Sequence, residues 1–440
     1  MTASHRAERT SRAAIRQSRR KRTRRRQQLF GIAVVVALLI GGGAYVVWAG
    51  SRNNGGPAAQ AGGGQTQRGD TSMLARDTFL LDADGAKKMS DGSWQVSATN
   101  EGVQVPERSF TCQAQRFADP AGLRTWVRQF KNGDSTATEY VELSADGGAA
   151  GKAYDTVINW LATCVTPQQR LVTSYTADGL GDRGTVAVFA QPVGGGSERY
   201  RTLTVTGTGP ATMVLEYITT APSTPALTSS VAAGTEAMTR LCAETKSTCP
   251  HSQVLTPSLL PAVGEPAGFM TAIDLPVLSK VKEPWVGVDA GTNPQTDCGE
   301  TNQPKAKPAR SEARTYLPVG AKVPTEFGMD TKIFEFSSAK VASQFLAGMR
   351  TTVAKCNASH SNVTTAKATT VGGEAGVTGQ TWLVRIGLAN GSTLTYRVGA
   401  AQAGKRVTYL LFLSLKGLDV TDQEFASTVA RAATRSMSYK

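Results

Sequence analysis

The stretch that determines the fold is TEFGMDTKIFEFSSAKVASQFLAGMRTTVAKC, residues 325–356. Its first part, 325–336, is rich in β-forming residues and predicts a strand. Its second part, 338–355, predicts a helix that ends at Cys356, because its apolar residues recur at helical spacing. They form a single stripe of Val341, Phe345, Met349 and Val353. A strand followed by such a helix predicts a helix that packs on a sheet.

The same order of elements occurs earlier in the chain. Cys112 precedes a strand-like segment at 138–143 (TEYVEL) and a helix-like segment at 149–161, which is followed by Cys164. The first cysteine pair is separated by 52 residues and its counterpart, Cys298 and Cys356, by 58. Each half continues into three strands and a last helix, at 185–190, 200–205, 212–219 and 225–241 and then at 381–388, 393–398, 406–415 and 421–437. This repeat predicts two copies of one domain, at 72–250 and 251–440.

The periodicity of these segments predicts the fold class. Residues 393–398 alternate between polar and apolar side chains, as in a strand with one buried face. Glycines at 194–196 and the pair Asn390-Gly391 are typical of tight turns between antiparallel strands. We therefore expect an α+β protein with two tandem two-layer domains, each an antiparallel sheet with helices on one face. The continuous apolar run at 406–415 predicts a central strand.

Six cysteines allow fifteen pairings, and the repeat reduces them. Equivalent positions in equivalent domains are expected to form equivalent bridges. The predicted disulfides are Cys112–Cys164, Cys298–Cys356 and Cys242–Cys249. A zinc site is the alternative, but the long pairs lack the close spacing of a zinc knuckle, and only His251 and His360 lie beyond residue 50. We therefore expect no metal.

The N-terminal region predicts a membrane anchor. Residues 29–49 form an uncharged apolar run of 21 residues, long enough to cross a bilayer as a helix. Residues 1–28 hold eleven Lys and Arg against one acidic residue, which predicts a disordered cytoplasmic tail and an extracytoplasmic C-terminal region. Residues 50–71 are rich in Gly, Ala and Gln and predict a flexible linker. A cleaved signal peptide ending at 47–49 is the alternative to an uncleaved anchor.

Charge and spacing in this region also bear on partners. The whole chain carries a formal charge of +14, and most of it is in the tail. No aromatic residue interleaves the arginines before Phe30, so the tail predicts contact with the anionic inner leaflet rather than nucleic acid. Ala33, Ala37 and Gly41 lie on one helix face, which permits a homodimer through the membrane helix.

Each copy resembles the extracellular sensor domain of actinobacterial receptor Ser/Thr kinases of the PknH type. The resemblance is carried by Leu80-Leu81 before a short helix, by Trp160 four residues before Cys164, and by FSSAKVASQFL at 336–346. It implies an α+β domain with a cleft that binds an extracellular ligand. The chain departs from that family because each copy lacks a second cysteine pair, the domain is doubled and no kinase precedes the anchor. Signal output is therefore expected to belong to another protein.

The pattern of catalytic residue types in the sequence favours a non-enzyme. The chain has no GxSxG, HExxH or Walker A pattern. Ser337 and Lys340 match the SxxK pattern of penicillin-recognising enzymes, but a companion KTG is missing and a helix cap explains the serines. Residues 82–85 (DADG) begin like a calcium loop whose later ligands are absent. We expect no cofactor, and no ligand-binding residue is assigned, although three tryptophans are candidates for lining a cleft: Trp94, Trp285 and Trp382.

Together these features predict a single-pass, extracytoplasmic sensor or ligand-binding protein of the bacterial cell envelope. Its ligand or protein partner is unknown, and pockets are expected between the copies or beside each sheet. The alternative function is a structural or protein-interaction component of the cell envelope.

Overall fold

The computed structural model describes residues 76–439 apart from 167, 291–297, 299–305, 360–361, 367 and 373–375. The predicted tail, membrane span and linker, residues 1–71, lie outside the described residues. Within the described part of the chain, no helix is both long and apolar enough to cross a membrane. The described residues belong to one compact unit, Arg68–Lys440.

The first domain is built on an eight-stranded antiparallel sheet and two long helices. Its elements are β1 (Gln95–Glu101), β2 (Arg124–Asn132), β3 (Ser135–Leu143), α1 (Gly147–Ala162), β4 (Arg170–Asp178), β5 (Arg183–Gly194), β6 (Ser197–Thr208), β7 (Ala211–Ala221), α2 (Leu227–Thr245) and β8 (Val254–Pro257). The strands lie in the order β1-β2-β3-β7-β6-β5-β4-β8. Since β8 pairs with β4, the first sheet extends past residue 250.

The second domain repeats this plan. Its elements are β9 (Trp285–Asp289), β10 (Arg310–Pro318), β11 (Met329–Glu335), α3 (Ala339–Ser359), β12 (Val363–Thr365), β13 (Thr369–Gly372), β14 (Thr378–Gly387), β15 (Thr393–Ala403), β16 (Arg406–Ser414) and α4 (Asp422–Ser436). The strand order is β9-β10-β11-β16-β15-β14-β12, and β13 also pairs with β14. This order matches β1-β2-β3-β7-β6-β5-β4 of the first domain strand for strand. The fold is therefore α+β, with two antiparallel sheets in two domains of common topology.

Each sheet is covered by one helix on each of its two faces. Each domain therefore has three layers, and the predicted two-layer arrangement is wrong. In β7, Val214 packs into the core that contains α1, and its neighbour Met213 packs into the core that contains α2. In β16, Tyr409 packs on the side of α3 and Leu410 on the side of α4. Successive strand residues point to opposite faces, so a strand with apolar residues at consecutive positions needs cover on both sides.

Two smaller predictions about the sheets are confirmed. The apolar run 406–415 forms β16, which lies between β11 and β15 and is therefore central. The glycine turns connect β5 to β6 and β14 to β15. Gly194, Gly195 and Gly196 all have positive φ, as does Gly391 at 77°, a backbone conformation that favours glycine.

Candidate functional site

The junction between the two domains is the first candidate site, and it is built from the connector that follows β8. Leu260 and Ile273 of this connector are 2% and 4% exposed. Both pack into the first domain's core on the side of α1. The segment that opens the second domain is therefore anchored in the first domain by apolar burial.

The last helix of the chain also joins the domains. Arg435 of α4 contacts the fully buried Asp274 of the connector, with 2.9 Å from Nε to Oδ2 and 3.2 Å from Nη2 to Oδ1. One turn earlier, Arg431 donates to the Asp274 carbonyl and to the Leu171 carbonyl of β4, each at 3.1 Å. Burial lowers the pKa of Arg431, and the Asp274 charge opposes that effect. Polar contacts from a single helix thus reach both domains.

A narrow groove lies beside this junction. Its first-domain wall is formed by Val165, Thr166, Gln168 and Gln169 of the loop after α1, and its other wall by residues that lie between Ala272 and Trp285 in the sequence. Gln168 has a φ of 60° and donates from Nε2 to the Ser279 carbonyl at 3.0 Å. The cavity is about 40 Å³, which is room for a few water molecules.

One polar group in the groove has no partner among the described residues. Gln169 is 8% exposed, and its Nε2 donates to Cys164 Sγ at 3.2 Å, but its Oε1 is buried without a donor. A buried carbonyl oxygen without a hydrogen bond is costly, so a water or a ligand donor is expected there. The groove is thus lined by both polar and apolar residues, and the unpartnered Gln169 oxygen belongs to its first-domain wall.

The candidate tryptophans are not gathered into one site. Trp285 lines the groove and donates from Nε1 to the Pro276 carbonyl at 2.9 Å. Trp94 belongs to the first domain's core beside α2, and Trp382 to the second domain's core beside α3. These last two side chains contribute packing rather than a binding surface.

The candidate catalytic and metal residues have structural roles. Ser337 and Lys340 are exposed, and Ser338 Oγ accepts from the Val341 amide at 3.3 Å, which caps α3. Asp82 accepts from the Gly85 amide at 2.8 Å and also contacts Arg240.

The histidines and acidic residues give no other centre. His251 is exposed, and His360 lies outside the described residues. No group of three or more potential metal ligands occurs in the part of the chain that the structure describes.

The cysteines form Cys112–Cys164, Cys242–Cys249 and Cys298–Cys356, which are the pairs that the repeat predicts. The first and third occupy equivalent places in the two domains. Three disulfides are typical of a protein in an oxidising, extracytoplasmic compartment.

Buried carboxylates in the first domain were not predicted. Glu139 accepts from the Leu81 amide at 2.8 Å, and burial raises its pKa to about 7. Glu142 lies on the opposite face of β3, and burial also raises its pKa to about 7. The sequence TEYVEL contained a signal for them. Two acidic residues three apart on a strand point to opposite faces of the sheet, so at least one of them is buried if only one face is exposed to solvent.

Comparisons with known proteins identify no family. No family model matches the chain, and no curated protein matches it.

Some solved structures are weakly similar, each covering 63% of this chain and 93% of its own. They are an acyl-CoA thioesterase II, TesB2, from Mycobacterium marinum (10% identity, TM-score 0.13), a tesB protein from Mycobacterium avium subspecies paratuberculosis (9%, 0.10) and a hot dog fold protein of unknown function from Alicyclobacillus acidocaldarius (8%, 0.10). TM-scores this low carry no argument about fold or activity.

Proposed function

We propose that this chain is a membrane-anchored, extracytoplasmic sensor or ligand-binding protein of the bacterial cell envelope, without catalytic activity of its own. The disulfides support the compartment, and the basic tail with its apolar run supports the anchor. The observation that carries the binding role is the groove at the domain junction, where the buried Oε1 of Gln169 accepts no hydrogen bond from the described residues.

The proposed route of signalling follows from the position of that groove. It borders the loop of the Cys164 disulfide on one side and the opening segment of the second domain on the other. A ligand that occupies it contacts both domains and stabilises their arrangement. In this proposal the chain acts through a partner protein, or through a second copy that pairs with it at Ala33, Ala37 and Gly41.

A ligand screen tests the binding role. The full-length chain in zwitterionic nanodiscs is heated with envelope glycans, lipids or peptidoglycan fragments, and unfolding of the extracytoplasmic part is followed by tryptophan fluorescence. A ligand of the groove raises the melting temperature, since it binds only the folded state. Gln169→Leu should remove that rise, whereas Gln344→Leu, an exposed substitution on α3, should keep it. A rise that is equal in both variants would place the ligand elsewhere.

A protein-interaction role is the second candidate, and the size of the groove favours it. A cavity of about 40 Å³ holds a few waters, so a larger ligand requires the walls to move apart. Crosslinking in intact cells distinguishes the two roles: a stable protein complex with no thermal shift from any small molecule favours this second candidate.

A further inference from the structure

The segment 106–119 of the first domain is here called the arginine loop. It is exposed at Ala114 and Gln115, and its other parts are attached to the rest of the domain. Cys112 ties it to Cys164. Within the loop, Gln113 donates from Nε2 to the Arg116 carbonyl at 2.8 Å, while its Oε1 accepts from the Phe110 amide at 3.3 Å. The loop is therefore crosslinked covalently and folded around its own buried amide side chain.

Two buried carboxylates of the sheet hold the same loop. Glu216 of β7 accepts from the Thr111 amide with both oxygens, each at 3.2 Å. Glu142 of β3 accepts from the amides of Ala118 and Asp119, each at 3.0 Å. Burial raises the pKa of both carboxyl groups, which expresses the cost of placing them in the interior.

The fold itself does not require this support, because the second domain lacks it. Ala211 and Arg406 are equivalent, since each follows the turn from the preceding antiparallel strand. Counting from them along the paired strands places Phe334 at the position of Glu142 and Leu411 at the position of Glu216. The same sheet positions are therefore apolar in one copy and acidic in the other. This difference indicates a role specific to the arginine loop.

The loop presents two arginines at an open depression. The depression has a volume of about 460 Å³ and is lined by Glu107, Arg108, Ala114, Gln115, Arg116 and Phe117. Arg108 is exposed and forms no ion pair with the described residues. Arg116 lies 3.7 Å from Glu107, a long contact, and its buried Nε has no partner in the described part of the chain.

We propose that this depression binds a phosphate group carried by a molecule of the cell envelope. Guanidinium groups present planar forks of N–H donors that match phosphate oxygens, and the exposed Arg108 has no ion-pair partner among the described residues. A loop fixed by a disulfide and two carboxylates keeps these donors in place before the ligand arrives, as a preorganised site requires. The phosphate comes from a lipid headgroup or from a soluble ester. The site deepens the proposed ligand-binding function and rests on it for the compartment.

Amide hydrogen exchange, measured peptide by peptide on the full-length chain in nanodiscs, tests the site. One arm adds inorganic phosphate to zwitterionic discs, and the other uses discs that contain phosphatidylglycerol. Reading exchange only in peptides that cover 106–119 separates this site from the basic tail, which also attracts anions. We expect saturable protection of these peptides in at least one arm. Protection with phosphatidylglycerol alone identifies a lipid source, and protection by free phosphate identifies a soluble one.

Matched charge reversals make the test decisive. Arg108→Glu should weaken phosphate binding at least about tenfold. Arg199→Glu, which reverses an exposed charge on β6 of the same domain, should change it less than twofold. An equal loss in both variants, or no saturable protection in either arm, overturns the site. If Arg108→Glu lost its fold, Arg108→Ala would carry the same test. The two proposals can fail separately. If a ligand stabilises the original chain but not Gln169→Leu, the proposed ligand-binding function stands even when the arginine loop binds no phosphate.

Discussion

Arg435 and Asp274 form an ion pair inside the protein, and the two residues come from opposite ends of the second domain. Arg435 lies on the last helix and is 5% exposed, whereas Asp274 lies on the opening segment and is fully buried. The adjacent Ile273 packs into the core of the first domain. The pair therefore connects the end of the chain to the place where the two domains meet.

Replacing Arg435 with Met should destabilise the protein by about 3–5 kcal/mol, because it leaves the Asp274 carboxylate buried and unpaired. Urea unfolding at neutral pH measures this loss. The matched control is Lys87→Ala, which breaks the exposed pair with Asp84 and should cost less than about 1 kcal/mol. A loss for Arg435→Met as small as the control's would show that the pair does not hold the junction.

The buried glutamates predict an unusual pH dependence. Burial raises the pKa of both Glu139 and Glu142 to about 7, above the ordinary value of 4.5. Between these values the folded state holds protons that the unfolded state has released. The free energy of unfolding should therefore fall as pH rises from about 4.5 to about 7, by up to about 1.4 kcal/mol per pH unit for each group, and level off above.

Glu139→Gln should flatten this slope, since the amide oxygen can still accept from the Leu81 amide but no longer titrates. Urea unfolding at half-unit pH steps measures the slope. Glu244→Gln, an exposed substitution on α2, should leave it unchanged. If stability instead rose with pH in this window for the original chain, these two carboxyl groups would not have raised pKa values.

A pair of glycines tests the packing of the sheet against its helices. A Cβ on Gly399 of β15 would lie 2.4 Å from Val429 Cγ2 and 3.2 Å from the Phe425 ring, so Gly399→Ala should cost about 1–3 kcal/mol. A Cβ on Gly151 of α1 meets nothing within 4 Å. Gly151→Ala should stabilise by up to about 1 kcal/mol through helix propensity. Thermal unfolding measures both changes in stability. If both variants were stabilised, or both destabilised, the close approach of β15 to α4 would be contradicted.

Much of the fold was predictable from sequence because apolar periodicity is strong where a strand is central. The run 406–415 predicted β16, and the stripe around Phe345 predicted α3. The edge strand β1 (QVSATNE) gave no such signal, because most of its side chains are exposed. The second helical layer was missed, although the run 406–415 already required apolar cover on both faces.

The candidate sites were less predictable than the fold. Nothing local to Gln169 indicates that it lies at a domain junction, since the other wall of the groove begins about a hundred residues later in the chain. The acids that support the arginine loop act across the sheet, with Glu216 lying 105 residues from Thr111. Such long-range pairings depend on strand register, which hydrophobic pattern fixes only after the neighbours of each strand are known.

The disulfides should contribute unequally to stability. Cys112–Cys164 and Cys298–Cys356 close loops of 52 and 58 residues, whereas Cys242–Cys249 spans 7. In the chain-entropy model each long bridge stabilises by about 4 kcal/mol and the short one by about 2.5 kcal/mol. Paired Cys→Ser variants, unfolded in urea, measure these differences, and the short bridge serves as the control.

The same variants report whether the domains unfold together. Arg435, Asp274 and Ile273 couple the two cores, so removing the bridge at Cys298 should shift one common transition rather than expose a second one. Tryptophan fluorescence follows both domains, because Trp94 and Trp382 lie in different cores. Two separate transitions in this variant would mean that the junction is too weak to join the domains, and a ligand in the groove would then act by bringing them together.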